Sequence, residues 1–202
     1  REQSALAEDE DDPANAAQID RRARADAELL TTLLHSEGYY DAEVEPDIGL
    51  AGDTIAVQLR AVPGPRYTFT AVELPGLDAA GEKAGALREA FAVKAGDPVV
   101  AEKVIAGDVA LKVALGEEGL PLAEVGEQDI VLDHKNATAR LVLPVTPGPV
   151  ARFGAVSVTG RPPFSSRHVG RIARFKTGDM YERSEVDDLR RALIATGLIA
   201  TV

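Results

Sequence analysis

The chain has 202 residues, of which 45 % are hydrophobic, 27 % charged and only 4 % aromatic, and its formal net charge is −11. A surface this acidic repels phosphates, and a sequence without tryptophan offers few rings for bases to stack on, which excludes nucleic acid as a partner. The absence of cysteine excludes disulfides and thiolate metal sites. No stretch approaches about 18 consecutive apolar residues, so the sequence predicts no membrane-spanning helix.

The first segment of the chain predicts a helix followed by a β-hairpin. Apolar residues recur at helical spacing from Ile19 to Glu37, and Gly38 follows as a residue that can end a helix with a positive φ. Residues 42–48 are expected to be extended. After a turn at 52–53, residues 54–62 alternate apolar and polar side chains, which is the pattern of a half-buried strand.

The second segment predicts a complete order of strand, helix, helix, strand, strand. The first strand is expected at 67–74 and the first helix at 79–93. The second helix follows Pro98 and runs to Glu118, where a glycine stops it. Two strands are expected after it, around 124–133 and 138–145.

The third segment begins in the same order. We expect a strand around 152–158, then a helix from about Ser165, then a helix that Ser184 caps and Gly197 ends. The sequence stops at Val202, before the two strands that would complete the order.

Two stretches of sequence recur along the chain. Residues 64–76 return as 148–160 with a constant offset of 84, and 37–44 return as 118–125 with an offset of 81. A fixed period of this size indicates one structural unit used more than once. The repeats predict three units, at 1–64, 65–147 and 148–202. Only the middle one is expected to be whole: the first lacks its opening strand and the third its closing hairpin, as in a piece of a longer protein.

No combination of residues in the sequence predicts catalysis. His35, His134 and His168 lie in different units, and none has a carboxylate or a second histidine at ligand spacing. There is no Gly-x-Ser-x-Gly elbow, and the Gly-Pro pairs at 64–65 and 148–149 lack the Lys-Ser/Thr of a phosphate-binding loop. We therefore expect no enzyme activity, no metal and no cofactor.

The most specific motifs lie in the third unit. They read Arg152-Phe-Gly-Ala-Val-Ser-Val-Thr-Gly160, Phe175-Lys-Thr-Gly-Asp-Met-Tyr181 and Asp188-Leu-Arg-Arg-Ala-Leu-Ile-Ala-Thr-Gly197. With Gly38-Tyr-Tyr-Asp-Ala-Glu-Val44 of the first unit, they resemble the POTRA (polypeptide-transport-associated) domains of the BamA/TamA superfamily of outer-membrane assembly factors, and within it the TamA-like branch. The resemblance implies an α+β fold of tandem β-α-α-β-β modules. Each module would be a three-stranded mixed sheet with two helices on one face.

The resemblance also implies a location and a role. The chain would lie at the periplasmic face of the Gram-negative outer membrane, as a non-enzymatic module for protein interaction and positioning in outer-membrane protein assembly and autotransporter translocation. Its implied partners are a TamB-like protein anchored in the inner membrane, a C-terminal β-barrel of its own that lies outside this sequence, and unfolded outer-membrane clients. A BamA-type POTRA region, or a mainly structural periplasmic spacer with little direct binding, are the alternatives.

Strand edges are the expected binding surface. A sheet covered on one face by two helices keeps an exposed edge, and an extended peptide can pair with it through main-chain hydrogen bonds. In the family this edge is the strand after the second helix, which corresponds to residues 42–48 and 123–130. The candidate partner-binding residues are Tyr39, Tyr40, Ala42, Val44, Ile48, Ala123 and Val125.

Two alternatives stay open at these positions. Acidic side chains such as Glu43, Glu45 and Asp47 also fit an edge that is protected against aggregation. Tyr39 and Tyr40 also fit simple packing at a corner of the fold, whereas an exposed ring would serve as an anchor for a partner.

Overall fold

The computed structural model describes residues 4–8, 15–52, 54–159 and 164–197. They belong to two compact units, one within 1–72, 94–103 and 130–141, and the other within 73–93, 104–129 and 142–202. The expected boundary at 64/65 falls inside the first compact unit, and the one at 147/148 falls inside the second. The division into three domains therefore stays a prediction.

The described residues form helices and short strands in an α+β arrangement. The α-helices are α1 (Ala5–Glu8), α2 (Ala16–Ser36), α3 (Ala84–Phe91), α4 (Ala101–Glu117), α5 (Ser166–Ile172) and α6 (Arg183–Ala195), with a 3-10 helix at Leu77–Lys83. The strands are β1 (Glu43–Ala51), β2 (Thr54–Val62), β3 (Thr68–Glu73), β4 (Glu124–Val125), β5 (Asp129–Asp133), β6 (Thr138–Val142) and β7 (Val145–Thr146). Among these helices none combines the length and apolar character that a membrane crossing needs.

Three sheets connect these strands. β1 and β2 form an antiparallel ribbon, β4 and β7 pair antiparallel, and a three-stranded sheet has the order β3-β6-β5. β3 and β6 run in the same direction, since Thr68 N–H donates to the Ala137 carbonyl and Leu143 N–H donates to the Glu73 carbonyl further along both strands. The three-stranded sheet is therefore mixed, as the sequence predicts.

The first helix and hairpin agree closely with expectation. α2 begins before Ile19 because Asn15 caps it: the Asn15 side chain accepts from Gln18 N–H at 3.0 Å, and the Gln18 side chain accepts from Asn15 N–H at 2.9 Å. Gly38 follows the C-cap residue of α2 and has a positive φ of +96°. β2 has the predicted bounds, and β1 continues beyond Ile48 to Ala51.

The expected helix at 79–93 is divided in two. A 3-10 helix runs from Leu77 to Lys83, and α3 then runs from Ala84 to Phe91. The helical backbone is kinked at Gly81, inside the 3-10 segment, because its φ of +63° and ψ of −129° lie outside the helical region.

The two expected strands at 124–133 and 138–145 are also each divided. β4 and β5 are separated by residues 126–128, and β6 and β7 by residues 143–144. Gly126 N–H donates to the Pro144 carbonyl at 2.9 Å between the paired ends. Pro144 has no N–H to donate, so a continuous ladder cannot pass through it.

The third segment departs most from expectation. The prediction of a strand around 152–158 is wrong. Arg152 makes a single bridge to Met180, and no described strand lies beside 153–159 to form a ladder with it. Ser165 caps α5 as expected, since its side chain accepts from His168 N–H. Ser184 is not the N-cap of α6, because that helix begins at Arg183, with Glu182 at the cap position.

Candidate functional site

A helix-to-strand corner in the first compact unit is built around Gly38. Its carbonyl accepts a hydrogen bond from Tyr67 N–H at 2.8 Å, and the Tyr67 carbonyl accepts one from Val99 N–H at 3.0 Å. Gly38 has a positive φ, and a Cβ there would lie 2.9 Å from the Val99 carbonyl oxygen. Only glycine therefore fits this corner without displacing the backbone.

The same corner is built around Gly119 in the second compact unit. The Gly119 carbonyl accepts from Ala151 N–H at 2.8 Å, and the Ala151 carbonyl accepts from Tyr181 N–H at 3.1 Å. Gly119 also has a positive φ, and a Cβ there would lie 2.9 Å from Met180 Cγ. The repeat in the sequence therefore corresponds to a repeated backbone connection.

The match continues along the chain beyond each corner. Phe69 N–H donates to the Asp97 carbonyl at 2.9 Å and its carbonyl accepts from Gly96 N–H at 2.8 Å. Phe153 makes the same two bonds, with Asp179 and Gly178, at the same two distances.

A basic side chain binds the end of the helix at each corner. Arg66 Nε donates to the Glu37 carbonyl at 2.9 Å, and Arg66 Nη2 lies 3.4 Å from the Glu37 carboxylate. Lys83 Nζ donates to the Glu118 carbonyl at 2.6 Å and lies 3.0 Å from the Glu118 carboxylate. A cation at a helix C-terminus interacts favourably with the helix dipole. Sequence comparison misses this pair, because Arg66 and Lys83 occupy unrelated positions in the repeat.

The first corner also holds a hydrogen-bonded cluster in which Tyr67 is buried and Asp41 and His134 are exposed. Tyr67 is 0 % exposed, and its hydroxyl donates to Asp41 Oδ2 at 2.9 Å. His134 Nδ1 lies 2.7 Å from Asp41 Oδ1 and 2.8 Å from the Tyr67 hydroxyl. An ionised carboxylate only accepts, so Nδ1 carries the proton and donates it to Asp41.

This cluster shifts two pKa values in opposite directions. Burial, and then the hydrogen bond to Asp41, raise the pKa of Tyr67 to about 12. The hydrogen bond from His134, and then that from Tyr67, lower the pKa of Asp41. Spacing in the sequence does not reveal this contact, since Asp41 is 93 residues from His134 in the chain but lies beside it in the fold.

Both predicted tyrosines pack at this corner. Tyr40 is half-buried, meets Tyr67 edge to face at 5.3 Å between ring centroids, and lies against the His35 ring at 5.9 Å. The Arg66 guanidinium lies 5.7 Å from the Tyr39 ring centroid. Packing alone thus accounts for both residues, and a role in anchoring a partner stays a prediction.

The other predicted binding residues lie on or beside two strands. Ala42 is buried just before β1, Val44 is half-buried on β1, and Ile48 is exposed further along it. Ala123 and Val125 are half-buried at β4, in the other compact unit. Binding by these residues stays a prediction.

Both predicted edges are open among the described residues. β1 pairs with β2 and β4 pairs with β7, and neither has a described strand on its other side; β5, which begins at the end of the predicted range 123–130, is an outer strand of the sheet β3-β6-β5. In the same described part of the chain, no group of three or more His, Asp or Glu side chains is arranged to hold a metal ion. The open backbone edges and the two corners are the candidate sites.

Comparison with known proteins gives solved structures only. No family model and no curated protein matches the chain. The structure of POTRA domains 3–5 of BamA from Haemophilus influenzae has a TM-score of 0.55 and 20 % identity, and the match covers 95 % of this chain and 74 % of that chain. BamA from Haemophilus ducreyi lacking POTRA domains 1–3 has a TM-score of 0.47 and 19 % identity, covering 65 % of this chain and 24 % of that chain. POTRA domains 1–3 of Omp85 from Anabaena give 0.36 and 16 %, with 86 % and 71 % covered.

The similarity to the first of these structures shows the fold. It extends over almost the whole chain, and the mixed sheet with its helices agrees with it. This chain has the POTRA fold, which confirms the fold class predicted from the sequence.

Proposed function

We propose that the chain is a non-enzymatic interaction module at the periplasmic face of the outer membrane, where it takes part in outer-membrane protein assembly. The observation that carries this proposal is the POTRA fold shared with a BamA structure over 95 % of the chain. The open outer edge of β1 supports it, because an unpaired strand edge can receive an extended segment of another protein.

Within this class, we propose a TamA-like role in which the chain docks a TamB-like protein anchored in the inner membrane. The ordered motifs of the first and third units support this branch. The first binding surface would be formed by Tyr39, Tyr40, Ala42, Val44 and Ile48, and the second by Ala123 and Val125. The three units would correspond to 1–64, 65–147 and 148–202.

Site-specific photo-crosslinking tests the proposal in cells. A photoreactive residue at Val44 or Ile48 is expected to give an adduct with the inner-membrane-anchored partner. Gln58, which is exposed on the neighbouring strand opposite Asp47, is the matched control position and is expected to give a weaker adduct. The absence of an adduct at every position of β1 would count against docking at this edge.

A structural spacer is the second candidate. The observation in its favour is that the two corners repeat the same backbone hydrogen bonds, as in units joined at a fixed geometry. Ile48→Pro discriminates between the two, because it removes an N–H from β1, whereas Ile48→Ala keeps it. A spacer keeps its function in both variants if both fold, whereas a strand-binding module loses far more function in the proline variant than in the alanine variant.

A further inference from the structure

Pro46 reveals which backbone groups of β1 face its free edge. In the ribbon Pro46 lies opposite Leu59. Directly opposed residues of an antiparallel pair either exchange two N–H···O bonds or exchange none, in alternation. Proline has no N–H, so Pro46 and Leu59 form a pair that exchanges none, and so do the pairs that contain Val44, Ile48 and Leu50. The N–H and C=O groups of those three residues therefore point away from β2, to the open edge.

The two faces of β1 differ sharply in chemistry. Successive side chains of a strand point to opposite faces. One face of β1 carries Val44, Pro46, Ile48 and Leu50, and the other carries Glu43, Glu45 and Asp47.

Across the ribbon, these differences persist. The residues opposite the apolar set are Ala61, Leu59, Val57 and Ile55. On the acidic face, Arg60 opposite Glu45 is the cation in the register, since Glu43 faces Val62 and Asp47 faces Gln58. This face of the ribbon therefore carries three carboxylates and one guanidinium.

The apolar face is only partly covered. A groove of about 430 Å³ lies between α2 and β1; its floor on β1 is apolar (Val44 and Pro46), and its α2 side carries Ala27 together with the polar or charged Arg24, Glu28, Thr31, Thr32 and His35. Towards the tip of the hairpin Leu50 is 80 % exposed. An extended segment beside β1 would place one set of its side chains along this groove and the tip, and the alternate set beside the carboxylates.

The edge strand of the three-stranded sheet has a similar alternation. Asp129, Val131 and Asp133 share one face of β5, and Val131 is 58 % exposed. Ile130 and Leu132, on the opposite face, are half-buried. Acidic side chains at period two thus occur at a second edge.

We propose that the free edge of β1 binds an extended segment in which apolar residues alternate with lysine or arginine. The inference rests on the proposed function, to which it adds the chemistry of the partner. Opposite charges side by side on one face of a sheet stabilise pairing, and like charges oppose it. The acidic face of β1 therefore selects basic residues at every second position, while the groove and the hairpin tip accept the apolar residues.

Binding of blocked, fluorescent peptides to the whole chain tests the proposal. The peptides have 9 residues, the length of β1, and alternate valine with lysine or valine with glutamate. Three favourable cross-strand pairs correspond to about a tenfold preference for the lysine peptide. The preference is expected to shrink in about 1 M salt, where the Debye length is about 3 Å.

N-methylation of the lysine peptide tests the edge geometry. Methyl groups on the valine amides are expected to block antiparallel addition, because those amides would face β1, and methyl groups on the lysine amides would block parallel addition. One methylated peptide should therefore lose binding and the other keep it. Equal binding by both would overturn pairing at the edge.

Neutral variants test the origin of the preference. Glu43→Gln, Glu45→Gln and Asp47→Asn together are expected to abolish it. The matched control neutralises three exposed carboxylates elsewhere, as Glu82→Gln, Glu89→Gln and Glu102→Gln, and should keep it.

The outcomes separate this inference from the proposed function. Equal binding of the lysine and glutamate peptides, or a preference for glutamate, overturns the charge pattern but leaves strand addition intact. A preference that survives in the β1 variant also overturns it. Binding of neither peptide contradicts addition at this edge, and with it the function proposed above.

Discussion

Lys83 Nζ lies 3.4 Å from the sulfur of Met180, which is the only sulfur atom in the sequence. The other two acceptors of this ammonium group are the carbonyl and the carboxylate of Glu118. Its three N–H donors thus meet one strong neutral acceptor, one charged acceptor and one weak thioether.

Oxidation of Met180 is expected to strengthen this contact. The sulfur is accessible, since Met180 is 38 % exposed, and a sulfoxide oxygen accepts hydrogen bonds better than a thioether. Peroxide treatment should add one oxygen atom and raise Tm by roughly 2 °C, the effect of one improved hydrogen bond in a chain of this size. Mass spectrometry and a thermal melt check both.

Two variants serve as controls for this prediction. Met180→Leu should show neither the added mass nor the shift. Lys83→Leu, which has no donor, should take up the oxygen without the gain in Tm. A lower Tm of the oxidised wild-type chain would contradict the expected role of Lys83.

Tyr67 is expected to ionise only well above the usual range of a phenol. Burial and the hydrogen bond to Asp41 raise its pKa to about 12, so the neutral phenol is favoured in the folded chain. A titration of phenolate absorbance should show one group near that pH, and Tyr67→Phe should remove it. A titration without a group near pH 12 that Tyr67→Phe removes would contradict the buried position.

The same cluster predicts the pH dependence of stability. A raised folded-state pKa means that the contribution of Tyr67 is complete below pH 10 and is lost as pH rises towards about 12. The lowered pKa of Asp41 means that its contribution is present above pH 3.8 and is lost as pH falls through the folded-state pKa. Urea unfolding at a series of pH values, for the wild-type chain and for His134→Ala, measures the loss of stability at low pH. Because the hydrogen bond from His134 is the main cause of the lowered pKa of Asp41, that loss should be smaller in the variant.

Alanine at the corner glycines is expected to be costly. Gly38→Ala and Gly119→Ala each place a Cβ in a left-handed conformation and close to other atoms, and should lower the free energy of unfolding by about 2 kcal/mol. Gly85→Ala is the matched control, since Gly85 lies in α3 with open space around it. That change should stabilise by about 0.5–1 kcal/mol. Denaturant unfolding of the three variants gives the comparison, and equal effects would contradict the corner geometry.

Glu117 is expected to act as a cap for α6. Its carboxylate accepts from Ser184 N–H at 2.9 Å and from the Ser184 hydroxyl at 2.6 Å. Glu117→Ala should cost about 1 kcal/mol, and its effect should not add to that of Ser184→Ala, because both remove one contact. Glu182→Ala, at the cap position but without a side-chain cap bond, should stay within about 0.5 kcal/mol. Additive effects of the first two changes would show that Glu117 and Ser184 act separately.

Local signals in the sequence predicted local structure well. The periodicity before Gly38 and the alternation at 54–62 each reflect a face that must be buried, so α2 and β2 have nearly the expected bounds. The helix ends at Gly38 and Gly119 likewise follow from a glycine that can adopt a positive φ.

The contacts and strands that the sequence did not predict correctly involve residues that are distant from one another in the chain. Nothing local links Asp41 to His134, or Glu117 to Ser184, because each pair meets only after the chain has folded. The expected strand at 152–158 failed for a related reason. Its apolar pattern is real, but a strand also needs a neighbour, and no described residues supply one.

The two corners share a backbone connection but not the side chain that binds it. Arg66 directly precedes Tyr67, whose N–H donates to the Gly38 carbonyl, whereas Lys83 lies 35 residues before Glu118, in the 3-10 helix. The corner thus depends on one glycine and a few main-chain groups, and the cation that binds the end of its helix can come from whichever element lies near. Duplication of one repeat could lengthen such a protein, since each added corner would bring its own glycine and need no matching change elsewhere.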